Sequence, residues 1–352
     1  MATDWKQTIF KAGLNALYYT GAHQALSPVS RGAGLIFMLH RVLPARDDPF
    51  QPNGHLEITP DFLRAVVGRV RGMGLDIVDL DEAARRLVSG GEGRRFAVFT
   101  FDDGYRDNHE IARPILVELG VPFTVYVASG LIDRTTELWW LALERMIAAR
   151  DLLDVAIHGA DRTFDCATPD AKTRTFRELA DYFTEISEGS QRSEIRALAK
   201  AEGFDLAGLC DEVGMTWDDV RALAAAPGVT IGGHTHDHHA VARLTPEAAE
   251  ADIVRGLDRL EAETGRRPTH FAYPYGSAEA AGPRDYALAS KLGFRTAVTT
   301  RPGVLFPDHR DHLTALPRVS LNGHYQDLRY LDLFLTGAPF ALFNRFRRVN
   351  AA

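Results

Sequence analysis

Three short polar motifs, each directly after an apolar segment, contain the residues best suited to chemistry. The first is Thr100-Phe-Asp-Asp-Gly104. Adjacent Asp residues on a regular strand would point to opposite faces, but at a strand end a glycine permits a sharp turn that brings both to one centre. Two carboxylates this close would repel each other, and one of them would become protonated. The charge of a bound divalent cation offsets this repulsion and keeps both ionised. The motif therefore indicates either a metal site or a polar turn that caps the next helix.

The second motif, Gly232-Gly-His-Thr-His-Asp-His-His239, has four histidines within six residues. His234 and His238 are four residues apart, a spacing that places two imidazoles on one side of a helical turn. This arrangement suits Zn²⁺ or a similar ion. His236 and His239 would then either support the ligands or lie on the surface. The motif predicts a metal site.

Asp103, His234 and His238 would together supply three metal ligands from two strand ends. Three protein ligands with one open position is the arrangement of catalytic zinc rather than structural zinc. Such a metal activates a water molecule, and Asp102, which is not needed as a ligand, is placed to accept the proton of that water. Zn²⁺ is the expected ion, with Co²⁺ and Ni²⁺ as alternatives from the affinity order.

The third motif is Phe271-Ala-Tyr-Pro-Tyr-Gly276. Pro274 and Gly276 fix an unusual backbone, so the amide of Tyr275 could point into a pocket and stabilise an oxyanion. Taken alone, the motif is a turn with aromatic residues, and its position at a strand end is what favours a functional role.

The segments that must position these motifs alternate between strand and helix patterns. Repeated βα units imply a parallel sheet covered by helices, and this number of strands favours a closed (β/α) barrel of the α/β class. Active sites of such barrels lie at the carboxyl ends of the strands, where all three motifs occur. The predicted strands are Leu35–Leu39, Leu75–Val78, Phe96–Phe101, Phe123–Val127, Val229–Ile231, His270–Tyr273, Thr296–Val298 and Leu316–Ser320.

The strand and helix rhythm also predicts the domain organisation. A helix over 5–22 is expected to dock on the domain, and a membrane-surface role is less favoured because its polar face is not strongly basic. A mostly helical insertion, with a hairpin around Val155–Phe164, interrupts the barrel. The predicted units are an N-terminal helical segment (1–30), the barrel (31–132 and 216–335), the insertion (133–215) and a C-terminal tail (336–352).

Composition excludes several classes of protein. The 352 residues include 40 Lys and Arg against 47 Asp and Glu, and the net charge of −7 argues against nucleic-acid binding. No apolar run reaches the roughly 18–20 residues of a transmembrane helix. The first residues lack the apolar region of a secretory signal, so a cytoplasmic location is expected, with peripheral membrane association left open. Cys166 and Cys210 have no metal-type spacing and are expected to be free thiols. Nothing in the sequence indicates an oligomeric state.

In this order, the three motifs resemble those of the polysaccharide deacetylase family, which contains the nodulation-protein-B homology domain. The resemblance extends over about Gly34 to Leu321 apart from the insertion. It implies a metal-dependent carbohydrate esterase on a distorted (β/α) barrel. It further implies that Asp102 is the catalytic base, that the Tyr275 amide stabilises the oxyanion, and that the metal ligands are Asp103, His234 and His238. His40-Arg41-Val42 also resembles the start of many members, which would place His40 near the pocket.

The chain departs from the family pattern at two points. Members often carry in the third motif an Arg that orients the catalytic Asp, where this chain has Ala272. Arg318 on the last strand is expected to replace it, the alternative being an Arg that faces outward. Members also supply a general-acid His on the last strand. His324 is the expected substitute here, followed by His312 and His40, and the alternative is that these are surface histidines.

The expected activity is removal of N-acetyl groups from an amino-sugar glycan, with an N-acetylated saccharide as the binding partner. Two alternatives stay open, namely an amidohydrolase of small non-sugar amides on the same scaffold and a glycan-binding module that has lost catalysis. Trp139 and Trp140 at the start of the insertion could stack on sugars, but their helical spacing with Leu138 and Leu141 favours packing. The basic segment Arg345-Phe-Arg-Arg348 is expected to be a solvated helix end.

Overall fold

Seven parallel strands close into a barrel in the structure, a computed structural model that describes residues 5–91 and 93–351. The strands are β1 (Gly34–Leu39), β2 (Arg41–Val42), β3 (Glu57–Ile58), β4 (Asp76–Ile77), β5 (Phe96–Phe101), β6 (Phe123–Val127), β7 (Leu152–Ile157), β8 (Ala160–Asp165), β9 (Val229–Gly233), β10 (His270–Ala272), β11 (Thr296–Pro302) and β12 (Leu316–Ser320).

The helices cover the barrel and form most of the segment predicted as an insertion. They are α1 (Trp5–Tyr19), α2 (Ala22–Ser30), α3 (Pro60–Gly72), α4 (Leu80–Val88), α5 (Arg113–Glu118), α6 (Ser129–Ile132), α7 (Trp139–Ala148), α8 (Pro169–Glu185), α9 (Glu188–Glu202), α10 (Leu206–Val213), α11 (Trp217–Ala224), α12 (Pro246–Thr264), α13 (Pro283–Lys291), α14 (Leu328–Thr336) and α15 (Ala338–Phe343).

The order of strands around the barrel is β1, β12, β11, β10, β9, β6 and β5, and β5 pairs with β1 to close it. Strand β4 adds to the beginning of β5, with Asp76 opposite Phe96. The predicted (β/α) barrel is confirmed. Its distortion comes from β10, which has three residues, and from a shift of register between β11 and β12.

Alternate residues of neighbouring strands fill the barrel, as the twofold side-chain period of a strand requires. One buried cluster contains residues from six of the barrel strands, namely Ile36, Val98, Tyr126, Ala272, Val298 and Leu316. The intervening residues pack under the helices, so β1, β5 and β6 are buried on both faces. Their near-continuous apolar sequences follow from this double burial.

Some helix and segment boundaries in the structure differ from those predicted from the sequence. The helix predicted over 5–22 ends at Tyr19, and a second helix, α2, follows it after Gly21, which takes a left-handed conformation (φ 73°). The segment predicted as a tail contains α15, and the basic residues 345–348 are exposed beyond its end. The segment 133–215 contains α7 to α10 and the antiparallel hairpin of β7 and β8.

Two further sequence expectations concern the cysteines and the membrane. Cys166 and Cys210 are buried free thiols. Among the described residues, no helix is both long enough and apolar enough to cross a membrane.

Candidate active site

The three motifs form turns at the carboxyl ends of β5, β9 and β10. Asp103, His238 and Tyr275 have φ values of 76°, 57° and 60°. Side chains other than glycine seldom adopt this left-handed conformation. Of the eight described non-glycine residues with positive φ, these three and Thr235 lie in the motif turns. Backbone strain concentrated in this way is typical of functional sites.

Asp103, His234 and His238, here called the ligand trio, are buried together. The Nε2 atoms of both imidazoles lie 3.2 Å from Oδ1 of Asp103. One candidate ligand atom from each side chain lies within 4.8 Å of the others. Nδ1 of His234 lies 2.7 Å from the carbonyl oxygen of Ala272, and donation to that oxygen leaves Nε2 free to coordinate. A donor set of two imidazoles and one carboxylate fits a divalent ion such as zinc.

The ionisation of the ligand trio suits metal binding. Burial acts to raise the pKa of Asp103, but hydrogen bonds from the two imidazoles hold that pKa well below its ordinary range. Burial also lowers the pKa of His238, and this effect exceeds the opposing influence of Asp103. An ionised carboxylate and a neutral imidazole are the forms that coordinate a cation.

Asp102 lies beside the ligand trio and is held by Arg318. Nη1 and Nη2 of Arg318 donate to Oδ1 and Oδ2 of Asp102 at 2.7 and 2.6 Å. The guanidinium is fully buried and also donates through Nε to the carbonyl of Thr299 at 2.9 Å and through Nη1 to Thr100 Oγ1 at 3.2 Å. Arg318 thus faces the barrel interior and fixes both oxygens of the carboxylate in one plane.

The pKa of Asp102 reflects two opposing influences. Burial acts to raise it, but the charge and hydrogen bonds of Arg318 outweigh burial and hold the pKa below its ordinary value. Asp102 is therefore ionised at neutral pH.

The turn after β10 is locked in place by β11. The Thr300 hydroxyl donates to the Tyr275 carbonyl at 2.6 Å, and the Thr300 amide donates to the Gly276 carbonyl at 3.0 Å. A Cβ atom at Gly276 would lie 2.6 Å from the Thr300 nitrogen, so only glycine fits. The Pro274 carbonyl accepts from the Gly276 amide at 2.7 Å. The Tyr275 amide has no acceptor among the described residues, which leaves it available to a ligand.

Two tryptophans of α7 cover the ligand trio. The Trp140 ring lies 5.2 Å from the His238 ring, between centroids, and its Nε1 donates to the hydroxyl of Tyr105 at 3.1 Å. Trp139 Nε1 donates to the Tyr275 hydroxyl at 3.0 Å. Both indoles are buried, so they pack against the site rather than offering a face to a sugar.

His40 and His324, the two histidines proposed near the pocket, are differently placed. The His40 carbonyl accepts from Asn108 Nδ2 at 2.7 Å, which fixes the chain after β1. A charge on His40 would lower the pKa of both Asp102 and its neighbour Asp103. His324 is exposed and stacks on His55, with 5.9 Å between ring centroids.

His312, the remaining alternative, precedes β12 at the opposite end of the barrel from the ligand trio. It is therefore excluded as a general acid.

A network behind the histidine motif was not predicted. Asp252 of α12 accepts from the amides of His236 and Asp237 at 3.2 and 3.0 Å and contacts Nδ1 of His239 at 3.3 Å. Arg192 of α9 donates to Nε2 of His239 at 2.8 Å. The insertion and α12 thus hold the ligand-bearing turn from two sides. The sequence contained one sign of this network. Asp252 is an acidic residue on the otherwise apolar, buried face of α12, on the same side as Ala249 and Gly256.

Comparison with known proteins agrees with this geometry. The family model of polysaccharide deacetylases matches residues 89–197 and 196–297. Similar solved structures include the Streptococcus pyogenes deacetylase PplD in complex with acetate, with 16% identity, 85% of this chain and 97% of that chain covered, and a TM-score of 0.57. IcaB from Ammonifex degensii is 17% identical, with 86% of this chain and 97% of that chain covered, and a TM-score of 0.53. A de-N-acetylase from Aggregatibacter actinomycetemcomitans is 14% identical, with 85% of this chain and 99% of that chain covered, and a TM-score of 0.54.

At these identities the solved structures show a shared fold, and none of the curated proteins matches the chain significantly. The family model covers more than half of the sequence, including all three motifs. The chain therefore belongs to the polysaccharide deacetylase family and is a hydrolase of amide bonds in N-acetyl groups.

Proposed function

We propose that this protein is a metal-dependent de-N-acetylase of an amino-sugar glycan, with acetate and a free amine as products. The observation that carries the proposal is the buried carboxylate of Asp102, clamped by Arg318 immediately beside the ligand trio. A ligand set alone would fit a storage or structural site, whereas an ionised base next to it fits hydrolysis.

Asp103, His234 and His238 would hold a divalent cation, with Zn²⁺ favoured and Co²⁺ or Ni²⁺ as alternatives. Bound there, the cation would polarise the acetyl carbonyl and activate the attacking water. His234 is already oriented for this task by the Ala272 carbonyl. The buried surroundings limit competing water molecules around the ligands.

The chain's own residues supply the proton transfers and part of the charge stabilisation. Asp102 accepts a proton from the attacking water, and Arg318 holds its carboxylate in orientation and in the ionised form. The free amide of Tyr275 donates a hydrogen bond to the acetyl oxygen as negative charge develops on it. The departing amine needs a proton, for which His324 and His40 are the two candidates. His324 is exposed and stacks on His55, whereas a charge on His40 would act on both carboxylates.

The two rival functions make different demands on the site. A binding module has no need of a base clamped by a buried Arg, and Asp102 and Arg318 are both in place. An amidohydrolase of small non-sugar amides would use the same machinery, so substrate identity separates it from a glycan deacetylase. The cytoplasmic location stays a prediction.

The test is product analysis by mass spectrometry after incubation of the metal-loaded protein with N-acetylated chito-oligomers and, separately, with small cyclic amides. We expect loss of acetyl groups from the oligomers and release of acetate, both abolished in Asp102→Asn. Hydrolysis of the cyclic amides alone would favour the small-amide enzyme. Oligomer binding without product would favour the binding module.

A further inference from the structure

The two ends of the chain meet in one group of helices on the outside of the barrel. Helix α2 packs against α14 and α15. The Ser30 hydroxyl donates to the Thr336 carbonyl at 2.7 Å, which joins the end of α2 to the end of α14. We call the exposed surface of α2, α15 and residues 344–348 the terminal patch.

The charge of these terminal segments is opposite to that of the rest of the chain. Residues 5–31 and 335–351 contain six Lys or Arg and no Asp or Glu, although the whole chain carries a net charge of −7. Arg345 and Arg347 are exposed and have no acidic partner among the described residues. Arg348 lies 3.9 Å from Asp308, and both side chains are mostly exposed. Arg345, Arg347 and Arg348 are therefore the basic residues of the terminal patch, on a chain whose net charge is negative.

The same surface exposes large apolar side chains. Val29 on α2 is 60% exposed, Phe343 on α15 is 64% exposed, and Phe346 beyond it is 55% exposed. Val29, Phe340 and Phe346 line one cavity of about 140 Å³ together with Arg347 and Arg348, so apolar and basic side chains from both terminal segments lie side by side. Single exposed apolar residues are ordinary, but exposed apolar and basic side chains grouped on one surface mark an interaction surface.

We propose that the terminal patch docks on a lipid bilayer with anionic headgroups. Val29, Phe343 and Phe346 would enter the boundary between headgroups and acyl chains, and Arg345 and Arg347 would contact the lipid phosphates. The first helix alone is only weakly basic, and the basic residues come from the other end of the chain, which the fold brings alongside α2. The inference is independent of the proposed catalytic function.

Electrostatics favours this partner over a second copy of the chain. A twofold dimer through this surface would bring the same basic residues of both copies together, because an isologous interface pairs a patch with itself. Their repulsion would oppose association, whereas anionic lipids neutralise them.

Co-sedimentation of the full-length protein with vesicles tests the proposal. We expect binding to phosphatidylcholine vesicles that contain phosphatidylglycerol, with a bound fraction that falls as salt rises. Arg345→Gln combined with Arg347→Gln should lower the partition coefficient roughly tenfold or more. Phe343→Ser combined with Phe346→Ser should lower it comparably at constant charge. Leu152→Ser is the matched control, because Leu152 is 63% exposed on the hairpin of β7 and β8, outside the terminal patch.

The outcomes separate lipid docking from its competitors. Unchanged vesicle binding in both double variants, or no binding of the unmodified protein to anionic vesicles, overturns the proposal. A dimer in sedimentation equilibrium that Phe343→Ser with Phe346→Ser dissociates also overturns it, because the patch would then join two copies. The substituted side chains are exposed, so unaltered circular dichroism and melting are expected, and the arginine variant tests the same surface without removing any apolar contact.

Discussion

At the scale of single residues, Asp102 is the group on which the proposed reaction depends, and Asp102→Asn removes the base without touching the ligand trio. Turnover should fall by about 10²–10⁴-fold, the usual contribution of general acid–base catalysis. Metal content, measured by elemental analysis, should match that of the unmodified protein. His238→Ala should lose both metal and activity. Near-normal turnover of Asp102→Asn would mean that the proton goes to another group.

Arg318→Lys tests orientation separately from charge. The ammonium retains the positive charge but cannot donate two parallel hydrogen bonds, so the carboxylate loses its fixed plane. Turnover should fall by about 10²-fold, as expected for misplacement of a catalytic group, while metal content stays normal. A lysine variant with full turnover would show that charge alone is sufficient.

The pH profile of a neutral variant, Arg318→Met, should show the influence of Arg318 on the base. In the unmodified protein the pKa of Asp102 lies below its ordinary value, so activity that needs the ionised carboxylate persists into the acidic range. Without the guanidinium, burial acts unopposed and raises that pKa. The acidic limb of kcat/KM should therefore move to higher pH. A limb that stays in place would contradict the assignment of Asp102 as the titrating base.

The general acid is tested by comparing His324→Gln with His40→Gln. If His324 protonates the amine, its variant should lose the alkaline limb of the pH profile and most of its turnover, while His40→Gln changes KM more than kcat. The reverse pattern would assign the proton donor to His40, which influences both carboxylates. Normal turnover in both variants would exclude either histidine.

At the scale of elements, the turn after β9 depends on α12. Asp252→Asn weakens the hydrogen bonds that hold this turn and should reduce metal affinity by about 10–100-fold, which is typical for residues that support metal ligands. Isothermal titration with Zn²⁺ measures the effect. Glu250→Gln is the control on the same helix, since Glu250 pairs with Lys291 at the surface. Equal affinities in the two variants would show that the network is not needed to position the ligands.

The sequence was sufficient to predict the eight strands of the main sheet and the three motif turns, because apolar runs and glycine-containing motifs are local signals. The short strands β2 and β3 were not predicted. Barrel closure also led to the expectation that Arg318 would face Asp102, and the two are in contact. The sequence was less informative about the support of the histidine motif, since Arg192 and Asp252 come from separate helices and meet only through packing. Helix α2 was missed because Pro28 obscures its pattern.

At the scale of the whole molecule, metal binding should stabilise the fold. An ion that binds only the folded state adds about 4 kcal/mol to the free energy of unfolding at a thousandfold excess over Kd. Urea denaturation with and without Zn²⁺ should show this gain in the unmodified protein and in Asp102→Asn, but not in His238→Ala. An equal gain in His238→Ala would place the bound ion outside the ligand trio.

The most direct test of the central claim is acetate release from an N-acetylated chito-oligomer by Asp102→Asn and the unmodified protein, each loaded with one equivalent of Zn²⁺. A metal-dependent deacetylase with Asp102 as its base should release acetate only when the unmodified chain holds the ion, and the fully loaded variant should be nearly inactive. Equal acetate release by the two loaded proteins, or undiminished release by the unmodified protein after chelation, would contradict the account.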